Sequence, residues 1–136
     1  MQCEYSWQAY RDTCWYVDEN LKRDWYSARD ICANMNSTLL SLESDEKFQY
    51  FNQMYQNFYS KYDAFWLNSR TDEPKKFKWL NSIPLKQEHY GGKNPDNSGG
   101  NENTLNEGCI SMSNPDGFKL NDAICSTKFE YFCECH

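Results

Sequence analysis

The stretch YGGKNPDNSGGNENTLNEGCISMSNPDGFKLND, residues 90–122, decides how the rest of the chain is interpreted. Gly and Pro residues interrupt regular structure along it, and its Asn and Asp side chains compete for backbone hydrogen bonds. Both features disfavour a helix or a central strand over most of its length. Long irregular stretches inside compact domains are uncommon and are usually functional or disordered. Because this one is dense in amide and carboxylate oxygens, the sequence predicts a hard-cation site here.

Composition and charge narrow the possible partners. The chain has 136 residues, enough for one domain with one core, and we expect a single domain over residues 1–136. Aromatic residues make up 17%, so a core built mainly on rings is expected. The net charge is −6 and no Lys/Arg run is longer than Lys75-Lys76, which argues against nucleic acid as a partner. No apolar run approaches the roughly 20 residues of a membrane span, so membrane insertion is not expected.

The cysteines indicate an oxidising compartment. Seven of them occur, at positions 3, 14, 32, 109, 125, 133 and 135, and this number in so short a chain predicts disulfides. No Cys-x-x-Cys pair is present and the two histidines lie far apart, so a structural zinc site is not expected. We therefore expect an extracellular location, either as a secreted protein or as the ectodomain of a membrane receptor.

The remaining pattern predicts an α+β fold. Helical spacing from Trp25 to Cys32 predicts a first helix, and Ser44 followed by two acids predicts the start of a second. The apolar face of the second helix is expected to carry Phe48, Phe51, Tyr55 and Phe58. Strands are expected at residues 38–42, 64–67, 77–80, 109–113 and 129–133, after two strands within residues 3–18. Two helices, short antiparallel strands and a long irregular loop region make up this fold.

Several motifs in this order resemble the C-type lectin-like domain. They are C-x3-W-x6-C-W from Cys3, LLSLES after the helix cysteine, FWLN from Phe65, and FCE from Phe132. The resemblance covers nearly the whole chain and implies a C-type lectin-like fold with its primary calcium site in the long loop. It also implies the disulfides Cys3–Cys14, Cys32–Cys133 and Cys109–Cys125. Cys135 is left over, either as a free or capped thiol or as an intermolecular disulfide that links a homodimer.

The resemblance also implies which residues hold the calcium and contact the sugar. The five positions all carry side-chain oxygens: Asn94, Asp96, Glu107, Asn121 and Asp122. Calcium binds six to eight such oxygens, mixing carboxylates and amides. Pro95 is expected to be cis, which would turn its two neighbours toward one ion.

Two alternatives bear on this ligand set. Glu102 could replace Glu107 as the ligand, but the fixed distance of Glu107 from Cys109 favours Glu107. The second Asn-Pro-Asp, residues 114–116, has the same three letters and is expected to be an ordinary turn.

The order of donor and acceptor suggests a sugar class. An amide nitrogen donates and a carboxylate only accepts, so Asn94 before Asp96 places the donor first. By resemblance this order favours galactose or N-acetylgalactosamine, with mannose-type glycans as an alternative. Tyr90 or Phe118 could offer a ring to the sugar, although core packing is the expected role of each.

Two other function classes compete with a calcium-dependent lectin. The chain could be a C-type lectin-like module that binds a protein ligand without calcium. An enzyme is not expected, because hydrolytic sets need a well-placed histidine. His136 is terminal, and His89 is expected to be solvated on the rim of the loop.

Overall fold

The closing strand of the chain lies in the middle of the sheet. The computed structural model describes residues 3–4 and 6–136. Within that part the strands are β1 (Gln8–Tyr10), β2 (Thr13–Val17), β3 (Thr38–Leu39), β4 (Ala64–Arg70), β5 (Cys109–Ser113), β6 (Lys119–Ala123) and β7 (Glu130–Cys135). Their order is β1-β2-β7-β4-β5-β6, with β3 also paired to β7. The β4–β7 pair is parallel and the other pairs are antiparallel, so the C-terminus joins the two halves of the sheet.

Both predicted helices are present and begin at side-chain caps. Helix α1 (Trp25–Asn34) starts after Asp24, whose carboxylate accepts the backbone N–H of Ser27 at 2.8 Å. Helix α2 (Asp45–Phe58) starts after Ser44, whose hydroxyl accepts the backbone N–H of Lys47 at 3.1 Å. Such caps satisfy N–H groups that have no partner within the helix. No helix among the described residues has the length and apolarity needed to cross a membrane.

One residue of the expected apolar face is misassigned. Phe48, Phe51 and Tyr55 are buried, but the Phe58 side chain is 68% exposed. The buried stripe continues from Tyr55 to Tyr59, four residues on, where α2 has ended. Phe58 therefore projects away from the core, because Tyr59 already fills the space at the end of the helix.

The strand prediction is wrong at two places and incomplete at a third. Residues 77–80 form no strand: Phe77 and Trp79 are buried, but they anchor a loop with a single bridge between Lys78 and Pro84. The strand expected at 38–42 is limited to β3. Strand β6 was not predicted, because its sequence KLNDA is polar and follows an Asn-Pro-Asp-Gly turn.

Aromatic rings make up the core, as the composition predicts. Phe65 and Phe132 stack at 4.3 Å between centroids, and Trp15 meets Phe51 edge-on at 5.3 Å. Edge-to-face and offset pairs of this kind add to the free energy of simple area burial. This cluster packs between α2 and the sheet. It also includes Tyr90, at the start of the long loop, and Leu120 on β6, so the loop packs directly against the core.

Three disulfides tie the ends of elements together. Cys3 is bonded to Cys14, Cys32 to Cys133, and Cys109 to Cys125. Cys135 carries a free thiol and is partly buried. The first residues of the expected N-terminal strand include Tyr5, which lies outside the described residues.

A buried ion pair links α2 to the last strand. The Lys47 ammonium lies 2.9 and 3.0 Å from the two carboxylate oxygens of Glu134, whose side chain is 2% exposed. Glu134 also accepts the backbone N–H of Ser41 at 2.7 Å, and Lys47 contacts Glu43 at 3.3 Å. The pair is therefore well satisfied. Removal of Lys47 would leave the buried Glu134 carboxylate with the exposed His136 imidazole, 2.9 Å away, in place of an ammonium.

Substitution Lys47→Met tests this pair, because it keeps the aliphatic stem and removes the charge. The free energy of unfolding should fall by about 3–5 kcal/mol, as in other proteins that lose one partner of a buried pair. Urea denaturation with an unchanged slope measures the loss. Lys76→Met is the matched control, since Lys76 pairs with Glu73 on the surface and should cost at most about 1 kcal/mol. Equal losses in the two variants would contradict the buried-pair assignment.

Candidate metal centre

Three carboxylates converge at the end of the sheet that faces the long loop. One oxygen each from Asp96, Glu107 and Asp122 lies within 4.8 Å of the others. Asp122 is fully buried, Glu107 is half-buried and Asp96 is exposed. The cluster is therefore buried at Asp122 and open to solvent at Asp96. Its carboxylate oxygens are the type of ligand that calcium prefers.

Strand pairing and the loop together assemble the cluster. Asp122 on β6 lies opposite Ile110 on β5, and Glu107 comes just before β5 begins. The Cys109–Cys125 disulfide closes this end of the β5–β6 pair. Asp96 arrives from the loop, directly after Pro95, and the Asn94–Pro95 peptide bond is cis as predicted.

The carboxylate of Asp122 anchors the loop to the sheet. One oxygen accepts the backbone N–H of Asp96 at 3.0 Å, and the other accepts that of Asn97 at 2.7 Å. Hydrogen bonds to a charged acceptor are stronger than those between neutral groups. Asp122 therefore fixes the position of the neighbouring Asp96 carboxylate through the backbone.

Asn97 organises the loop and is not among the residues that the sequence analysis singled out. Its side chain is 2% exposed, and its φ is +48°, a left-handed conformation that Asn tolerates better than most residues. Its amide oxygen accepts the backbone N–H groups of Asn106 and Glu107, at 2.8 and 3.0 Å. The amide nitrogen donates to the carbonyls of Asn101 and Thr104, at 3.0 and 2.9 Å. An Asn directly after Pro-Asp in a Gly-rich segment is the signal that could have found it.

A glycine permits this close packing. A Cβ on Gly100 would lie 2.3 Å from the carbonyl oxygen of Thr104 and 2.6 Å from the amide nitrogen of Asn97. Only a residue without a side chain fits, so the Gly-Gly step lets the loop fold around Asn97.

Asn94 is directed toward the other Asn-Pro-Asp turn. It is buried, and its amide nitrogen donates to the Asp116 carboxylate at 2.9 Å. Residues 114–116 form a 3-10 turn, so the expected turn is present, but its last residue supports the loop as well. No local sequence pattern predicts this contact between the two identical tripeptides.

The remaining predicted ligand, Asn121, lies on β6, and the alternative ligand, Glu102, lies in the long loop. Asn121 is half-buried on β6, next to Asp122 and paired with Ser111 on β5. Glu102 is exposed, and with Asp96 it lines a cavity of about 370 Å³ beside the cluster. Of the two glutamates proposed for one ligand position, Glu107 is the one in the cluster of three.

The pKa values of two of the clustered carboxylates, Glu107 and Asp122, are raised. Burial raises the pKa of Glu107 to about 7, and a hydrogen bond with Asp96 and the charge of Asp122 act in the same direction. Burial also raises the pKa of Asp122. Two like charges about 4 Å apart repel by about 4 kcal/mol at an effective dielectric constant of 20. A divalent cation is the partner that would remove this repulsion, and the donor set therefore fits calcium.

The flanking aromatic and histidine residues have packing roles. Tyr90 is buried in the core cluster and Phe118 packs against it, as expected. The expectation for His89 is wrong. It is buried, stacks on Phe48 at 4.1 Å, and bonds Asp45 at 2.8 Å through Nε2. The apolar ring of Phe48 and the first turn of α2 hold it away from solvent.

Comparison with known proteins agrees with the fold and site region. The Lectin C-type domain profile matches residues 21–135. Natural killer cells antigen CD94 of Bos taurus is 29% identical over 136 residues, which cover 97% of this chain and 60% of that protein. This chain therefore spans less than two thirds of the length of that relative.

Two solved structures illustrate the similarity of fold. The human scavenger receptor C-type lectin carbohydrate-recognition domain superposes with a TM-score of 0.82 at 21% identity, covering 98% of each chain. A structure described as an SPL-1–GlcNAc complex superposes with a TM-score of 0.81 at 22% identity, covering 98% of this chain and 94% of that one.

The raised pKa of Glu107 gives a prediction about pH. With calcium chelated, the folded state holds a proton on Glu107 up to about pH 7, whereas an ordinary glutamate loses it near 4.5. The folded state then binds more protons than the unfolded state in this window, so stability should decline as pH rises through it. Glu107→Gln should weaken that decline, as measured by urea denaturation from pH 4.5 to 7.5.

The exposed Glu102 offers the control for this experiment. Glu102→Gln removes the same charge from the same loop and should follow the wild-type pH profile. If Glu107→Gln also follows the wild-type profile, Glu107 does not carry the shifted proton.

Proposed function

Because this chain belongs to the C-type lectin domain family, we propose that it is a calcium-dependent carbohydrate-binding domain. Domains of this family are binding modules rather than enzymes, in agreement with the sequence prediction. The observation that carries the proposal is the convergence of Asp96, Glu107 and Asp122 within 4.8 Å. These three carboxylates would hold the ion, with Asn94 and Asn121 as further ligands proposed from the resemblance.

Calcium at this site would supply open coordination positions for two neighbouring sugar hydroxyls. The chain's own groups then orient those hydroxyls by hydrogen bonds. Asp96 is exposed and can only accept, whereas the Asn94 amide donates. An amide nitrogen has two hydrogens, so the bond to Asp116 leaves one for a ligand. This order of donor and acceptor supports a galactose or N-acetylgalactosamine type of glycan.

The surroundings of Asp96 leave room for more than one sugar residue. The cavity of about 370 Å³ beside the cluster is bounded by the loop around Gly100 and by Lys75 and Lys76 from the facing loop. A glycan bound at Asp96 would extend into this space. The proposed partners are accordingly extracellular glycans, and a homodimer linked through Cys135 would increase avidity if single sites are weak.

The second candidate is a protein-binding module that needs no calcium. The observation in its favour is that the loop is already closed by its own hydrogen bonds, through Asn97 and the carboxylate of Asp122. The effect of calcium on the folded protein separates the two candidates.

Thermal unfolding with calcium and with excess chelator tests the metal site. An ion that binds only the folded state stabilises it by about 2.7 kcal/mol at 100 times its dissociation constant, so the midpoint should rise clearly with calcium. Glu107→Gln should lose most of this rise, because one of the three carboxylates is removed. No calcium effect on correctly disulfide-bonded wild-type protein would favour the protein-binding candidate.

Glu102→Gln again serves as the matched control. The variant should keep the calcium-dependent rise, because Glu102 lies outside the cluster of three carboxylates. If Glu102→Gln lost the calcium-dependent rise in the unfolding midpoint and Glu107→Gln kept it, Glu102 would be the calcium ligand instead of Glu107.

Competition on a glycan array tests the sugar class. In calcium, galactose and N-acetylgalactosamine should inhibit binding at concentrations at least tenfold lower than mannose, and chelator should abolish binding. Stronger inhibition by mannose would reverse the proposed specificity and leave the metal site intact.

A further inference from the structure

The free thiol of Cys135 lies beside an existing disulfide. In the antiparallel β2–β7 pair, Cys135 is directly opposite Cys14, and Cys14 is bonded to Cys3. The register holds at the next position as well, because the Thr13 hydroxyl lies 3.3 Å from Nδ1 of His136. The register therefore places the Cys135 thiol on the strand next to the Cys3–Cys14 disulfide, directly opposite Cys14.

Cross-strand geometry permits a bond between Cys14 and Cys135. Directly opposite residues in antiparallel strands have their side chains on the same face, with Cα atoms about 4.5–5.5 Å apart. Disulfides occur at Cα separations of about 4.4–6.8 Å, so no movement of the strands is required. The bond from Cys14 to Cys3 spans 5.5 Å between Cα atoms, which is comparable.

We propose that Cys3, Cys14 and Cys135 form a thiol–disulfide exchange site. The Cys135 thiolate attacks Sγ of Cys14, a Cys14–Cys135 bond forms, and the Cys3–Cys14 bond breaks. Cys3 leaves as a thiolate and takes up the proton that Cys135 released. The number of disulfides is unchanged, so the step needs no external oxidant or reductant.

Position along the strands favours Cys14 over the other nearby disulfide. Cys133 lies two residues before Cys135, but it is fully buried and its bond to Cys32 lies within the second core cluster. Cys3 precedes β1, belongs to no strand and is partly exposed. Release of Cys3 therefore frees the segment ahead of β1 and leaves the interior unchanged.

The exchange moves the reactive thiol from Cys135 in β7 to Cys3, ahead of β1. Cys135 is held within β7, whereas Cys3 lies outside the sheet and can reach a thiol of a second copy of this chain. The calcium loop is attached to β5 and β6, at the far end of the strand order, and would not be affected.

Alkylation and peptide mapping test the exchange. Wild-type protein is equilibrated in a glutathione redox buffer, quenched with acid, alkylated and digested without reduction. Alkyl label should appear on both Cys3 and Cys135, together with a Cys14–Cys135 linked peptide. Label confined to Cys135, with Cys3–Cys14 as the only linkage of Cys14, would overturn the proposal.

Two variants make the result independent of the exchange equilibrium. Cys3→Ser should contain a Cys14–Cys135 disulfide and no alkylated cysteine, whereas Cys135→Ser should contain Cys3–Cys14 and lose labelling of Cys3. The Cys32–Cys133 and Cys109–Cys125 peptides in the same digest report correct folding. Two outcomes in Cys3→Ser would contradict the proposal while those two disulfides are formed. One is alkylation of both Cys14 and Cys135, and the other is a disulfide from Cys135 to a second chain.

Discussion

A single buried carboxylate connects the irregular loop to the regular sheet. Asp122 projects from β6 and receives the backbone N–H groups of Asp96 and Asn97. Backbone groups of a loop must find partners when they are taken from water, and here a side chain of the sheet provides them. Asn97 extends the same network to Glu107, so two of the three clustered carboxylates depend on contacts that begin at Asp122.

The same residue serves structure and proposed metal binding, which creates a conflict of charge. An ionised Asp122 is a strong acceptor for the loop, yet it raises the cost of ionising Glu107. Calcium would resolve this conflict because it neutralises both groups and leaves the backbone hydrogen bonds in place. Hydrogen bonds to Asp122 order the loop before any ion binds, and the repulsion between the carboxylates still favours binding of a cation.

Sequence patterns predicted the elements with strong local signals and missed those set by distant contacts. Capped, amphipathic helices were found because a cap and a periodic face are local. Strand β6 was missed since its hydrogen bonds to β5, not its composition, make it a strand. At the site, the resemblance to C-type lectin-like domains implied the three acids, which the structure brings together. The hydrogen-bond partners of Asn97 and the contact between Asn94 and Asp116 could not be predicted, because both depend on how the loop closes.

The central place of β7 has a consequence for the order of folding. Strands β2 and β4 are not neighbours in the sheet, and each pairs with β7, which is the last element of the chain. During synthesis the β1–β2 hairpin and the β4–β6 part can form separately, but no strand pairing joins them until β7 is available. Non-local pairing of this kind is slow and leaves strand edges exposed. The domain therefore completes its sheet only once β7 has been synthesised, when Cys133 also becomes available to Cys32.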